Sequence, residues 1–252
     1  MNYKLLLLVI LIVLVIVSIL IYFLILKKKK ESFLFKDLSQ LHAELKLKYG
    51  DFSQELPEQQ MIFKHIKPNS KILELGPNIG RSSIVANSLL NDKTKHLCVE
   101  TISGTCQKLK RNRDLNNLKF QVFEGAISNS NLYQHPNKWR ASKIKKNGYI
   151  EINTKPYSYL VAKYNINFDT IIADCEGCVT DLFKENEYIL NNIKLIIIEH
   201  DFNNKEQLHF FYKLMFKYNF KMIDKITKTS IGLDNWREGV LTDPIFVSVW
   251  KK

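Results

Sequence analysis

Three short apolar runs in this chain end in acids with the chemistry to hold a nucleoside or move a proton. The first reads Lys71-Ile-Leu-Glu-Leu-Gly-Pro-Asn-Ile-Gly80, an E-x-G-x-x-x-G pattern. Gly76 suits a tight turn, and Gly80 lets backbone approach a ligand where a helix starts. The pattern lacks the middle glycine of G-x-G-x-x-G, which removes the close pyrophosphate approach of a nicotinamide enzyme. The second run closes on Cys98-Val99-Glu100-Thr101, and an acid at such a strand end accepts both hydroxyls of a ribose. The third leads into Asp174-Cys175-Glu176-Gly177-Cys178, with Ile198-Glu199-His200 following a fourth run. A Gly-bearing turn and a strand-end acid together point to a nucleoside-containing ligand.

These residues need a scaffold that brings strand ends together. Strand-like runs are expected at Lys71–Leu75, His96–Glu100, Phe120–Phe123, Thr170–Ala173, Leu195–Ile198, Lys221–Ile223 and Ile245–Trp250. Helical stretches fill the gaps at Arg81–Leu90, Ser103–Asn116, Val179–Asn191 and Lys205–Lys217. Continuous β-branched runs alternating with amphipathic segments predict an α/β, doubly wound sheet buried on both faces. The last two runs lack a full helix between them and suit an antiparallel pair. Upstream, Leu34, Leu38, Leu41 and Leu45 predict a helix over 33–48, and a second short helix is expected after Pro57.

With its motifs in place, the sequence resembles the class I S-adenosylmethionine-dependent methyltransferases, and within them the FkbM-like family. The resemblance covers roughly residues 70–202. It rests on Glu74–Gly80, Val99–Thr101, a following helix with Leu109, Asn112 and Asn116, Ala126–Ser128, Asp174–Gly177 and Ile198–His200. It implies a Rossmann-like seven-stranded sheet whose final strand inserts antiparallel, with cofactor across the C-terminal ends of the first strands. Residue by residue, it implies that Glu74, Gly76, Asn78 and Gly80 surround the amino acid moiety and sulfonium. Glu100, followed by Thr101, would hold the ribose, Gly125 and Ala126 would border the adenine, and Asp174 and Glu176 would sit beside the methyl group and substrate. Departures are Glu74 where Asp is more usual, Pro77 for Ala, Thr101 where Pro is common, and Cys178 after the glycine.

Methyl transfer is an in-line displacement at a sulfonium, so alignment supplies much of the rate, and a hydroxyl acceptor gains from a base. The candidates for catalysis are Glu176 and His200, with Asp174 beside them. A histidine after a buried strand also serves as a structural hydrogen-bonding group, which is the competing expectation for His200. No metal is expected, although Asp174, Glu176, Glu199 and His200 have suitable donor types. Cys175-x-x-Cys178 resembles a redox pair at a helix start, but the same segment satisfies the methyltransferase pattern and no second pair exists for zinc.

The formal charge of +12 is unevenly placed. Leu5–Leu26 is uncharged and apolar except Ser18, about 33 Å long as a helix, and Lys27–Lys30 follow directly. This predicts an uncleaved single-pass transmembrane helix, and the four lysines predict a cytosolic C-terminal domain. The absence of any Asn-x-Ser/Thr sequon among 22 Asn agrees. The expected organisation is an anchor with basic flank over 1–30, juxtamembrane helices over 31–69 and a catalytic domain over 70–252. Lysine outnumbers arginine 32 to 5, which makes nucleic acid an unfavoured partner. Lys138, Arg140, Lys143, Lys145 and Lys146 cluster around Trp139 in a stretch expected to be irregular from Asn129 to Lys155. It reads as a solvated loop, or as a grip for an anionic membrane, an anionic substrate or RNA. Trp236 and Arg237 are candidates for an acceptor pocket.

The expected function is a membrane-anchored S-adenosylmethionine-dependent O-methyltransferase acting on a sugar, lipid-linked or other small-molecule hydroxyl. The rivals are a noncatalytic, membrane-tethered module of the same fold, then an RNA methyltransferase, then a nicotinamide oxidoreductase.

Overall fold

The computed structural model describes residues 13, 15–17, 37–232 and 243–252. The expected span Leu5–Leu26 therefore lies almost wholly outside the described residues, as do Lys27–Lys30, Trp236 and Arg237. Among the described residues no helix is long and apolar enough to cross a membrane. The chain divides into two units, Met1–Gln40 and Leu41–Lys252.

Along the chain come α1 (Leu38–Glu44), α2 (Leu56–His65), β1 (Ile72–Leu75), α3 (Arg81–Leu89), β2 (His96–Glu100), α4 (Ser103–Leu115) and β3 (Gln121–Glu124). Five short strands follow, β4 (Ala126–Ile127), β5 (Leu132–Gln134), β6 (Ala141–Ser142), β7 (Ile150–Ile152) and β8 (Thr154–Lys155), and the helix α5 (Tyr157–Tyr164) closes the stretch. The second half holds β9 (Thr170–Ala173), α6 (Cys178–Asn186), β10 (Leu195–Glu199), α7 (Lys205–Lys217), β11 (Lys221–Thr227) and β12 (Ile245–Lys251).

Seven strands form one sheet in the order β11-β12-β10-β9-β1-β2-β3. Neighbours from β3 through β10 run parallel, and β12 lies antiparallel to both β10 and β11. The sheet matches the seven expected runs, including the antiparallel final pair. Every residue of β1, β2 and β9 is buried, because helices cover both faces. On one face Leu73, Val99, Ile171 and Ile198 pack with Leu160, Phe183 and Phe211 of α5, α6 and α7. On the other, Cys98 and Phe120 pack with Ile84 of α3 and Leu109 of α4. Each fully buried Leu, Ile or Phe contributes about 1.5–3 kcal/mol relative to exposure.

Two expectations change. The helix expected over 33–48 is helical, within its described part, only at Leu38–Glu44. Beyond it, the side chains of Asn116 and Asn112 accept the amides of Lys46 and Lys48, each at 2.8 Å, and hold the backbone in a non-helical path. The stretch expected to be irregular contains β5, β6 and β7, a three-stranded antiparallel sheet, and β8, which pairs in parallel with β4 just upstream. We refer to residues 129–155 as the strap.

Candidate active site

The chain order reverses between β1 and β9, which lie side by side while β2 and β3 extend one way and β10 the other. In an open parallel sheet this is where loops diverge and leave a crevice at the C-terminal strand ends. A cavity of about 820 Å³ lies there, bordered by the residues that follow β1, β2, β3, β9 and β10, by the start of α2 and by the strap. Gly76 makes the crevice possible. Its φ is +75°, and a Cβ would stand 1.8 Å from the Asp174 carbonyl oxygen. The loops after β1 and β9 therefore touch backbone to backbone, a contact no side chain at 76 would permit.

Glu100 is the last residue of β2, on the cavity wall and 6% exposed. It accepts the Ile102 amide at 2.9 Å, and burial raises its pKa against the opposing effect of backbone amides. Thr101, Gly125 and Ala126 border the same side. Gly125, at φ +151°, leaves no room for a Cβ because the Asn153 carbonyl oxygen would lie 2.1 Å away. Asn78, left-handed at φ 50°, lines the cavity and donates from Nδ2 to Glu55 Oε1 at 3.2 Å. Arg81, itself buried, grips the segment before α2, pairing with Glu55 at 2.7 Å and with the Gln54 side chain.

The other wall is acidic. Burial, with repulsion from neighbouring acids, pushes Asp174 and Asp201 each up to about 8, and burial pushes Glu58 to about 7. Glu199, facing Asp174, is raised well above the usual carboxylate range by burial and by the Asp174 charge. Among the described residues Glu58 Oε2 has no hydrogen-bond partner. Four carboxyls thus share a low-dielectric wall without a matching cation among the described residues, and they favour either bound protons or a cationic ligand. Of the four, the family resemblance implies Asp174 beside the methyl group and Glu199 on the neighbouring strand, whereas Asp201 and Glu58 belong to no motif in the sequence.

The strap faces this wall. Arg140 pairs with Glu176 at 3.0 Å and Lys143 with Glu185 at 2.9 Å. Glu185 also accepts the Asn129 amide at 2.7 Å, which pins the strap to α6. Glu176 and Gly177 are both left-handed, at φ 57° and 82°, and a disulfide joins Cys175 to Cys178 around them. The Asn203 amide donates to the Glu176 carbonyl at 3.3 Å, and Asp201 accepts the Cys175 amide at 3.1 Å. The C-x-x-C pair thus shapes the turn that presents Glu176.

Three sequence candidates lie elsewhere. Glu74 does not border the large cavity. Its carboxylate points into the α3–α4 side, 2.8 Å from His96 Nε2 and 3.1 Å from Cys98 Sγ. These three donors converge and are wholly buried. Among the described residues His96 Nδ1 has no partner, whereas a metal-ligating imidazole normally anchors its second nitrogen, and burial beside Glu74 pushes the pKa of the Cys98 thiol up. The arrangement is that of a hydrogen-bonded triad joining β1 to β2. Gly80 caps α3 behind the loop, against Leu109, and does not line the cavity.

His200 is the larger correction. Its ring is fully buried, with Nδ1 at 2.6 Å from Asp243 Oδ2 and Nε2 at 2.7 Å from Ser248 Oγ. Both nitrogens are hydrogen-bonded to Asp243 and Ser248, neither of which lines the cavity, so the structure brings no free imidazole nitrogen of His200 to the site. Asp174, Glu176, Glu199 and His200 accordingly do not converge as a ligand set. Burial alone would raise Asp243, but the bond and charge of His200 hold it below the usual carboxylate range. His200→Ala is expected to cost about 3 kcal/mol of stability by stranding Asp243. Thermal melting should register that loss, while ligand affinity at the cavity stays within twofold of the parent.

No protein-family model matches the chain, and no curated protein matches it. Among solved structures, the chain is similar to an O-methyltransferase from Bacillus cereus in complex with SAH, at 15% identity and TM-score 0.47, covering 84% of this chain and 88% of that one. It is similar to a ribosomal protein L11 methylase from Lactobacillus delbrueckii subsp. bulgaricus, at 15% identity and TM-score 0.45, covering 82% and 81%. It is also similar to a protein of the NADB-Rossmann superfamily from Streptococcus agalactiae, at 14% identity and TM-score 0.46, covering 77% and 67%.

Proposed function

We propose that the chain is an S-adenosylmethionine-dependent methyltransferase of the FkbM-like kind, acting on a hydroxyl of a sugar, lipid-linked or other small-molecule acceptor. The observation that carries this reading is the pairing, in one cavity, of Glu100 with a wall of buried carboxyls that no described cation neutralises. S-adenosylmethionine offers ribose hydroxyls at one end and a sulfonium and an ammonium at the other. Glu100 suits the ribose, and the backbone at Gly76 permits close approach. Gly125 and Ala126 suit the flat adenine edge. Asp174, Asp201 and Glu58 suit the cationic end, where the orphaned Glu58 oxygen would gain a partner.

The cofactor would supply an electrophilic methyl group. The protein's share is alignment, exclusion of water and acceptance of the hydroxyl proton. Glu176, paired with Arg140 at the cavity mouth, is the proton acceptor in this reading, and Asp174 orients the methyl-bearing end. The anchor belongs to the same proposal. Leu5–Leu26 would tether the domain, and the four lysines support a cytosolic placement. A disulfide such as Cys175–Cys178 persists in an oxidising compartment, and in a reducing cytosol the pair would be a dithiol.

The acidic wall gives the reading a pH signature. A cationic ligand favours ionised carboxyls, so binding releases the protons that burial retains on Asp174, Asp201 and Glu58. Affinity for S-adenosylmethionine should therefore rise with pH through the range of about 7 to 8, by up to about tenfold per pH unit for each proton released. S-adenosylhomocysteine lacks the sulfonium and should show a shallower rise. Calorimetry of both ligands from pH 6 to 9 measures the ratio. A ratio that stays flat, or favours S-adenosylmethionine more at low pH, would refute the assignment of the acidic wall to the sulfonium.

A further inference from the structure

The strap carries a surface that cofactor binding does not use. Over residues 129–155 the strap holds six cations against one acid, Glu151. Arg140 and Lys143 turn to Glu176 and Glu185, whereas Lys138, Lys145 and Lys146 are exposed and make no ion pair among the described residues. Between them stand Trp139, Ile144 and Ile150, 60%, 70% and 59% exposed. Lys138 and Lys146 lie over the Tyr149 ring, and Lys145 lies over that of Tyr133, each ammonium about 6 Å from the ring centre. The strap thus exposes three large apolar side chains interspersed along the chain with lysines that make no ion pair among the described residues.

We propose that this face docks on an anionic lipid bilayer, with Trp139, Ile144 and Ile150 entering the headgroup boundary and the lysines meeting lipid phosphates and carboxylates. Two observations favour lipid over RNA. The unpaired cations are all lysines, point charges suited to a diffuse anionic surface, not guanidinium forks suited to base edges. Exposed isoleucines gain nothing from a solvated phosphate backbone, whereas they gain from the acyl boundary. The apolar and basic groups alternate over residues 138–150, in the loops that join three short antiparallel strands and at the start of the last one. Each lysine held near an anionic surface strengthens partitioning about fivefold, so three give about 100-fold. Trp139 and Arg140 also line the cavity, so docking would turn its mouth toward the headgroups. That consequence rests on the proposed function; the docking itself does not.

The test uses the full chain in nanodiscs of phosphatidylcholine brominated on the acyl chains, with or without phosphatidylserine at about a third of the lipid. Tryptophan emission is compared with that of Trp139→Phe, which isolates the Trp139 signal. The expected result is Trp139 quenching at least twofold stronger in the anionic discs, removed in Lys138→Gln/Lys145→Gln/Lys146→Gln. Melting curves and S-adenosylmethionine binding of the triple variant should match the parent, since none of its three lysines lines the cavity. Equal Trp139 quenching in both discs would overturn the proposal, as would strap protection from proteolysis by a uridine oligonucleotide but not by anionic lipid. Failure of the parent to bind S-adenosylmethionine would count against the proposed function alone.

Discussion

Glu100→Ala is expected to weaken binding of both S-adenosylmethionine and S-adenosylhomocysteine by at least about 100-fold. Glu100 ends β2 at the cavity wall, and its Oε1 is already committed to the Ile102 amide. The carboxylate is therefore fixed in direction before any ligand arrives, with acceptor capacity left for a ribose. Two hydroxyls donating to an ionised acid contribute about 1.5–3 kcal/mol each, which sets the size of the loss. Both ligands carry the same ribose, so both should lose affinity equally, unlike the pH effect, which separates them. Glu100→Asp keeps the charge but withdraws it by one methylene, and should fall between. Unchanged affinity in a folded Glu100→Ala protein would mean that the ligand lies elsewhere.

Gly76→Ala should do more damage, to the fold as well as the site. The new Cβ would stand 1.8 Å from the Asp174 carbonyl oxygen and 2.8 Å from its carbon, both backbone atoms. Relief requires β1 and β9 to separate at the centre of the sheet, where Leu75 and Ala173 are register partners. The positive φ adds its own cost for any residue with a Cβ. A loss above about 4 kcal/mol, or failure to fold, is expected. Gly104→Ala is the control. It lies in the first turn of α4 with nothing within 4 Å of the added Cβ, and should leave stability equal or raise it by up to about 1 kcal/mol. Chemical denaturation of the two variants compares them directly, and similar midpoints would contradict the close approach of the two loops.

The sheet was legible because it is covered on both faces. Burial of whole strands forces continuous apolar runs, and all seven stand out from their surroundings. The strap was not, because its strands are two or three residues long and make no run. The site was legible at strand ends and less so within them. Side chains alternate across a sheet, and that decides two cases that residue type alone misjudged. Glu199 and Asp201 border the cavity, so His200 between them turns the other way, into Asp243 and Ser248. Glu74 lies between Leu73 and Leu75, which face α5 to α7, so it must share the opposite side with its register partner Cys98. Glu55 and Glu58 carried no signal. They precede β1 in a segment read as juxtamembrane, and only Arg81 and the α2 start bring them to the strand ends.

The most direct test of the central claim is a calorimetric titration of the full chain with S-adenosylmethionine at pH 8, beside the Glu100→Ala variant. The account predicts saturable one-site binding by the parent and at least about a 100-fold weaker response from the variant. A folded parent that gives neither binding heat nor a ligand-dependent rise in melting temperature would contradict it.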